Sequence, residues 1–282
     1  MGVDSVSQTA IFAAQVRAAH AILDDDPIFE DPYAMVLADA LDSDIQDLFA
    51  LIPAACARVA RVLPNQRARF AEEEVERAIH REIEQYVILG AGLDSFAWRR
   101  TDLMAKIELF EVDHPDTQEW KRQRMRVAAL RSPANLHLVP IDFEKDQLQA
   151  RMMEAGFDRN APSIWSWMGV VVYLEVGSVE STLRAAADLA ASGSRMLASY
   201  TVTSDLMDVD SREFDQLARA ASAEGGEDHI TALAPQEFEA IAREAGWRTA
   251  DTVDISSFAA WFSGRDDGLT AASYERILIA DM

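Results

Sequence analysis

The sequence predicts an α/β protein: a doubly wound, mostly parallel sheet preceded by an N-terminal helical cover. Three observations carry that reading. Up to about residue 84, apolar positions recur at helical spacing and strand signals are few. From residue 85 onward, short apolar runs alternate with helical stretches, the pattern of β–α units around a parallel sheet. The first of those runs, QYVIL, stops abruptly at Gly90-Ala91-Gly92 and passes into residues that begin a helix.

In chain order, the segment 1–84 reads as a helical cap. Helices are expected at 11–23, 33–41 and 72–84, with Pro27, Pro32, Pro53 and Pro64 punctuating the connections. The rest, 85–282, reads as one α/β unit. Its strands fall at 86–89, 107–112, 136–139, 163–168, 195–202, 248–254 and 275–280, with helices at 95–103, 115–130, 144–155, 178–191 and 235–245. An excursion at about 201–230, rich in Asp and Glu, contains a helix at 211–222. It ends before Pro235, whose fixed φ suits the first turn of a helix. Its place at the carboxyl edge of the sheet makes it a candidate substrate lid.

Ligands of such sheets bind beyond the carboxyl ends of the strands. Gly90 and Gly92, with Ala91 between them, let the chain turn tightly and let bare backbone approach a bound group. Asp94 and Ser95 are good residues to start the following helix. Roughly 20 residues further on, where a nucleotide fold places an acidic side chain, the second strand ends in Glu111-Val112-Asp113. A carboxylate at Asp113 can accept from both hydroxyls of a ribose, so the pair of features points to a nucleoside cofactor. Position 95 is Ser where a dinucleotide fingerprint has its third glycine, which favours a cofactor without a pyrophosphate. A nicotinamide-dependent oxidoreductase would use the same turn and acidic strand end. The missing glycine and the helical preface disfavour it, and a non-catalytic binding protein is the second rival. Asp142 and Phe143 follow the third strand, where the carboxylate can take an adenine amino group or simply cap the next helix.

Composition narrows the partners. Forty-eight acidic against 26 basic residues give a formal charge of −22, which repels nucleic acid and anionic membranes alike. The acidic runs at 24–26 and 72–74 read as solvated surface, and no metal-ligand spacing is present. An apolar fraction of 49% supports a sizeable core, no apolar run reaches spanning length, and the first residues lack a signal-peptide pattern. The single cysteine, Cys56, excludes an internal disulfide and reads as a small core side chain in a cytoplasmic protein.

Several motifs in order carry a family resemblance: DPYA (31–34), RARF (67–70), LGAGLDS (89–95), FEVDHP (110–115), VPIDF (139–143), WSWMGVVVYL (165–174) and GRDDGL (264–269). With them the chain resembles the S-adenosylmethionine-dependent methyltransferases related to leucine carboxyl methyltransferase. That group includes many bacterial O-methyltransferases of small molecules and polyketides. The resemblance implies a class I, Rossmann-like fold whose N-terminal segment covers S-adenosyl-L-methionine. It implies that Arg67 pairs with the methionine carboxylate of the cofactor, a role suited to a guanidinium fork. Arg17 matches a second basic contact, and Arg69 lies close enough to replace Arg67. Asp142 and Phe143 are implied at the adenine. Where many members carry a glutamate, this chain has Met168, so that contact is not carried over; Tyr173 falls where the family keeps a tyrosine.

The expected reaction is methyl transfer to a carboxylate or hydroxyl oxygen of a small molecule. A carboxylate is already ionised at neutral pH, whereas a phenol or alcohol needs a positioned base. His229, His20 and His114 are the histidines weighed for that task and none is marked by its neighbours, so no catalytic residue is assigned and a carboxyl acceptor is preferred. Arg265 is a candidate to capture an anionic acceptor.

Overall fold

The apolar runs become seven strands: β1 (Gln85–Leu89), β2 (Glu108–Asp113), β3 (Leu136–Pro140), β4 (Ser163–Trp167), β5 (Arg195–Thr201), β6 (Thr249–Val253) and β7 (Glu275–Asp281). In the computed structural model, which describes residues 7–142, 145–225, 227–254 and 258–282, they form one sheet in the order β3-β2-β1-β4-β5-β7-β6. Strands β1 to β5 pair in parallel, and only β7 runs antiparallel, between β5 and β6. The doubly wound, mostly parallel α/β sheet expected from the alternating pattern is therefore present. Strand order reverses between β1 and β4, and that switch point opens a crevice at the carboxyl edge.

Burial explains why these strands read so clearly. All five residues of β1 and all five of β4 are buried, as continuous apolar runs in a two-sided parallel sheet should be. Side chains alternate between two cores. Val87, Leu89, Phe110, Val112, Trp165 and Trp167 point to one face, and Tyr86, Ile88, Leu109, Ile164 and Leu197 to the other. Trp165 and Trp167 share a face as their spacing requires. The indole of Trp165 donates to Ser163 Oγ at 2.8 Å, which satisfies its buried N–H.

The N-terminal helices depart from the sequence reading. They are α1 (Gln8–Leu23), α2 (Ala34–Ala38), α3 (Asp42–Ala50) and α4 (Ala54–Ile79). Helix α3 was not expected, and α2 stops early where Asp39 adopts a φ of 56°. The largest correction concerns Pro64, which lies inside the 26-residue α4 instead of ending a helix. A proline there removes one backbone donor and crowds the preceding turn. The next residue, Asn65, donates its side-chain amide to the Arg61 carbonyl at 2.6 Å. The expected helix at 72–84 is only the end of α4. The length of α4 lets its first half pack with α1 and α3, while Phe70, Val75 and Ala78 pack on the sheet.

Beyond β1 the helices follow the expected alternation: α5 (Phe96–Arg99), α6 (Thr101–Met104), α7 (Pro115–Val127), α8 (Leu148–Glu154), α9 (Val176–Ala187), α10 (Val209–Gly225) and α11 (Pro235–Glu244). The single helix expected at 95–103 is interrupted at Arg100, and α8 starts four residues later than expected, after a turn held by Asp146. Among the described residues no helix is long and apolar enough to cross a membrane, and no cluster of acidic, histidine or cysteine side chains suits a metal ion.

One buried carboxylate joins the N-terminal helices to the sheet. Asp31 is 2% exposed; it accepts from Arg17 Nε at 2.8 Å, Ser95 Oγ at 2.6 Å and the Tyr33 backbone at 3.1 Å, and Arg99 lies 3.6 Å away. Burial pushes its carboxyl up, but Arg17 and Arg99 more than offset this and hold it below the ordinary value of 3.8. A carboxyl depressed in this way stabilises the fold above its unfolded value and loses that contribution as pH falls through its folded value. Asp31 should therefore contribute fully at neutral pH and fail only in acid below about 3.8. Asp31→Ala leaves Arg17 with only the Leu93 carbonyl and Arg99 with Glu72 and Ser95, and should cost at most roughly 3–5 kcal/mol in urea unfolding at pH 7. The deficit relative to the wild type should shrink below pH 3.8, and a pH-independent deficit would assign the loss to packing instead.

Candidate active site

The switch-point crevice is built first from the turn after β1. Gly90 and Gly92 have φ of +65° and +51°, the left-handed region that favours glycine. At Gly90 a Cβ would come within 2.5 Å of Val170 Cγ2, and at Gly92 within 3.2 Å of Ala10 Cβ. The turn is thus clasped between the segment after β4 and the first turn of α1. Ala91 donates its backbone N–H to Val112 at 3.1 Å, extending the ladder with β2. Asp94 accepts from the Phe96 backbone at 2.7 Å in a local turn that leads into α5, whose N-cap position is Ser95.

Asp113, at the end of β2, faces this turn. One carboxylate oxygen accepts from Gly92 N–H at 2.5 Å and the other from His114 N–H at 2.7 Å. Burial raises its carboxyl from 3.8, against the pull of the Gly92 and His114 amides. A carboxylate has about four acceptor sites, so both oxygens retain capacity for hydroxyl donors. Glu111 shares its strand face but is 1% exposed and pairs with buried Lys121, whose ammonium lies 5.6 Å from the Trp98 ring centroid. Burial lifts the Glu111 carboxyl, with Lys121 opposing. This pair lies beneath the crevice and orders β2 against α7.

The other expected contacts distribute unevenly. Arg17 does not face open crevice: beyond Asp31, its second amino group donates to the Leu93 carbonyl at 2.7 Å, so it braces the glycine turn. Arg67 lies at the β4 end, where a Cβ on Gly169 would fall on its guanidinium, and it donates to Glu275 Oε1 at 2.9 Å. Arg69 turns the other way, toward Glu73, the Ile28 carbonyl and the Trp261 ring. Asp142 pairs with Lys145, and its backbone N–H donates to Asp146; its carboxylate does not cap α8, which begins at Leu148. Phe143 lies outside the described residues. Met168 packs at the edge of the core face that holds Tyr86 and Ile88. Arg265 is engaged with Asp267 and Asp26.

Two site residues escaped the sequence reading. Glu275 is 3% exposed at the start of β7, with its second oxygen lacking a partner, and burial raises its carboxyl against the effect of Arg67. Its signal was an acidic residue at the head of the apolar run RILIA. Asp31 was visible only as part of a motif, with no role attached.

The site residues therefore fit a nucleoside with an attached amino-acid group. Asp113 ends β2 against the glycine turn, Asp142 follows β3, the turn exposes backbone, and Arg67 supplies a cation at the β4 end. Comparisons with known proteins agree. The family model for leucine carboxyl methyltransferase matches residues 10–187. A Bacillus subtilis protein provisionally named the S-adenosyl-L-methionine-dependent methyltransferase YktD is 31% identical over 212 residues, covering 74% of this chain and 68% of its own. A Mycobacterium avium protein provisionally named in the same way is 31% identical over 267 residues, covering 86% and 83%. Among solved structures, one described as a methyltransferase from Thermobifida fusca has the same fold, with a TM-score of 0.59 at 17% identity over 95% of this chain and 93% of that one. The chain belongs to the leucine carboxyl methyltransferase family of S-adenosylmethionine-dependent methyltransferases.

Proposed function

We propose that this chain transfers the methyl group of S-adenosylmethionine to an oxygen of a small-molecule acceptor. The observation that carries the reading is the Gly90–Gly92 turn closed by Asp113, with Arg67 across the crevice. In this reading the Asp113 carboxylate accepts from the ribose hydroxyls and the bare turn lies against the nucleoside. Arg67 holds the methionine carboxylate with donors not used by Glu275, and Asp142 with Phe143 meets the adenine. The methyl group leaves a cationic sulfur, so the cofactor supplies the reactive centre and the protein supplies alignment. The acceptor would enter between α1 and the excursion between β5 and α11.

Asp113→Ala removes charge-assisted hydrogen bonds worth roughly 1.5–3 kcal/mol, so calorimetry should find S-adenosylhomocysteine bound about ten- to a hundredfold more weakly. Unchanged affinity in a folded variant would reject the ribose assignment. Because Ala10 lies on Gly92 and Arg67 belongs to α4, the ligand should also slow amide exchange in α1 and in the middle of α4. Equal exchange rates with and without S-adenosylhomocysteine would remove both elements from the binding site.

A further inference from the structure

The carboxyl edge of β4 and β5 holds a group of polar rings that the cofactor reading leaves unused. The segment before α11 is pinned across this edge: Ile230 and Thr231 both donate to the Val172 carbonyl, at 2.8 and 3.1 Å, and Leu233 donates to Thr201 at 3.0 Å. That anchoring sets His229 against Tyr173, ring centroids 5.1 Å apart at 69°, and brings its Nδ1 to 3.2 Å from the Tyr274 hydroxyl. Tyr274 is 3% exposed and immediately precedes Glu275, the partner of Arg67. On the other side, Glu227 accepts from the Thr9 backbone at 2.8 Å, and Thr9 adjoins Ala10, which covers Gly92. His229 is therefore tied by short links to both halves of the crevice. His229 and Tyr173 are only partly buried, so their rings border open space.

The other four histidines are placed elsewhere. His20 is sealed among the N-terminal helices, donating to Asp24 while its Nε2 accepts from Ile28. His80 bonds to its own helix and His137 to Glu108, and His114 projects beside the ribose position with its Nδ1 on the Asp116 backbone.

We propose that His229 is the catalytic base of this site, oriented by Tyr274 and walled by Tyr173, and that the acceptor is a phenol or alcohol. The inference rests on the oxygen-methylation reading and replaces the carboxyl preference that followed when no base was visible in the sequence. The acceptor O–H bond breaks and its proton passes to the imidazole, which becomes imidazolium. The oxygen forms a bond to the methyl carbon, whose bond to sulfur breaks with the electron pair remaining on sulfur. The imidazolium then releases its proton to water, and no oxidant or further reactant is needed.

The surroundings suit that role. Burial lowers the His229 pKa from 6.5, and Arg219 on α10, which donates to the His229 carbonyl, adds to the effect. Asp215 on α10 and the adjacent Asp228 oppose it. Tyr173 and Tyr274 face the ring as neutral phenols, since burial raises both. A pKa lowered from 6.5 keeps the imidazole mainly neutral at neutral pH, the form that can take up a proton.

The test uses the full-length protein with S-adenosylmethionine and a shape-matched pair of probes, para-cresol and para-toluate. Para-cresol should give the methyl ether, with a rate flat at neutral pH and falling as pH drops below a value under 6.5. His229→Ala should lose about a hundred- to ten-thousandfold in that rate, with added imidazole restoring part of it. His229→Gln, which preserves polarity, should be equally slow, and both variants should bind S-adenosylhomocysteine as the wild type does. An NMR titration of the wild-type ring should give a pKa below 6.5 without any turnover. Methyl ester from para-toluate, an unchanged para-cresol rate in the variants, or failure of the wild-type complex to bind para-cresol would overturn the proposal. Failure of the wild type to bind S-adenosylhomocysteine would instead overturn the cofactor reading beneath it.

Discussion

The junction between the N-terminal helices and the sheet depends on a charge that has been taken out of water. An isolated buried carboxylate would be strongly disfavoured, and Asp31 is tolerable only because donors from both sides converge on it. Arg17 comes from α1, while Ser95 and Arg99 come from the two ends of α5. If the N-terminal helices withdraw, Arg99 loses both Asp31 and Glu72. The same Arg17 reaches the Leu93 carbonyl, so the interaction that seats the helices also fixes the backbone of the glycine turn. Docking and site geometry are one event.

A second tie works in the C-terminal half of α4. Arg195, at the head of β5, is shared between Asp281 on β7 and Glu74 on α4, with contacts of 2.7 and 2.9 Å. Together with Arg67 and Glu275, these charges run along α4 where it crosses the sheet. The net charge of −22 thus coexists with local pairing in which arginines such as Arg67 and Arg195 join separate elements. Arginine suits this use because its fork can address two partners at once.

Legibility in the sequence follows the same division. Strands β1 and β4 were readable because both faces are buried, which turns burial into uninterrupted apolar runs. The glycine turn and Asp113 were readable because their roles are fixed by local conformation and by strand spacing. Pro64 misled because tertiary packing of α4 on both sides overrides a local preference against proline. Helix α3 was missed because its mixed sequence DSDIQDLFA buries only Ile45 and Phe49. Glu275 as the partner of Arg67, and Tyr274 as that of His229, could not be seen because each depends on chain closure across the sheet. Local pattern reports conformation, whereas these pairs are made by topology.

The nesting of Arg67 against Gly169 has a consequence for how such a chain can diverge. Because the guanidinium occupies the volume that any side chain at 169 would need, and φ there is +71°, the glycine is not free to drift while the arginine is retained. A lineage that abandons the arginine opens space at the β4 end, and only then can the glycine be replaced by a residue tolerant of that backbone. Descendants that change what they methylate should therefore vary along the segment 227–233 and the exposed flank of α10, leaving the 67–169 pair as a joint heritable unit.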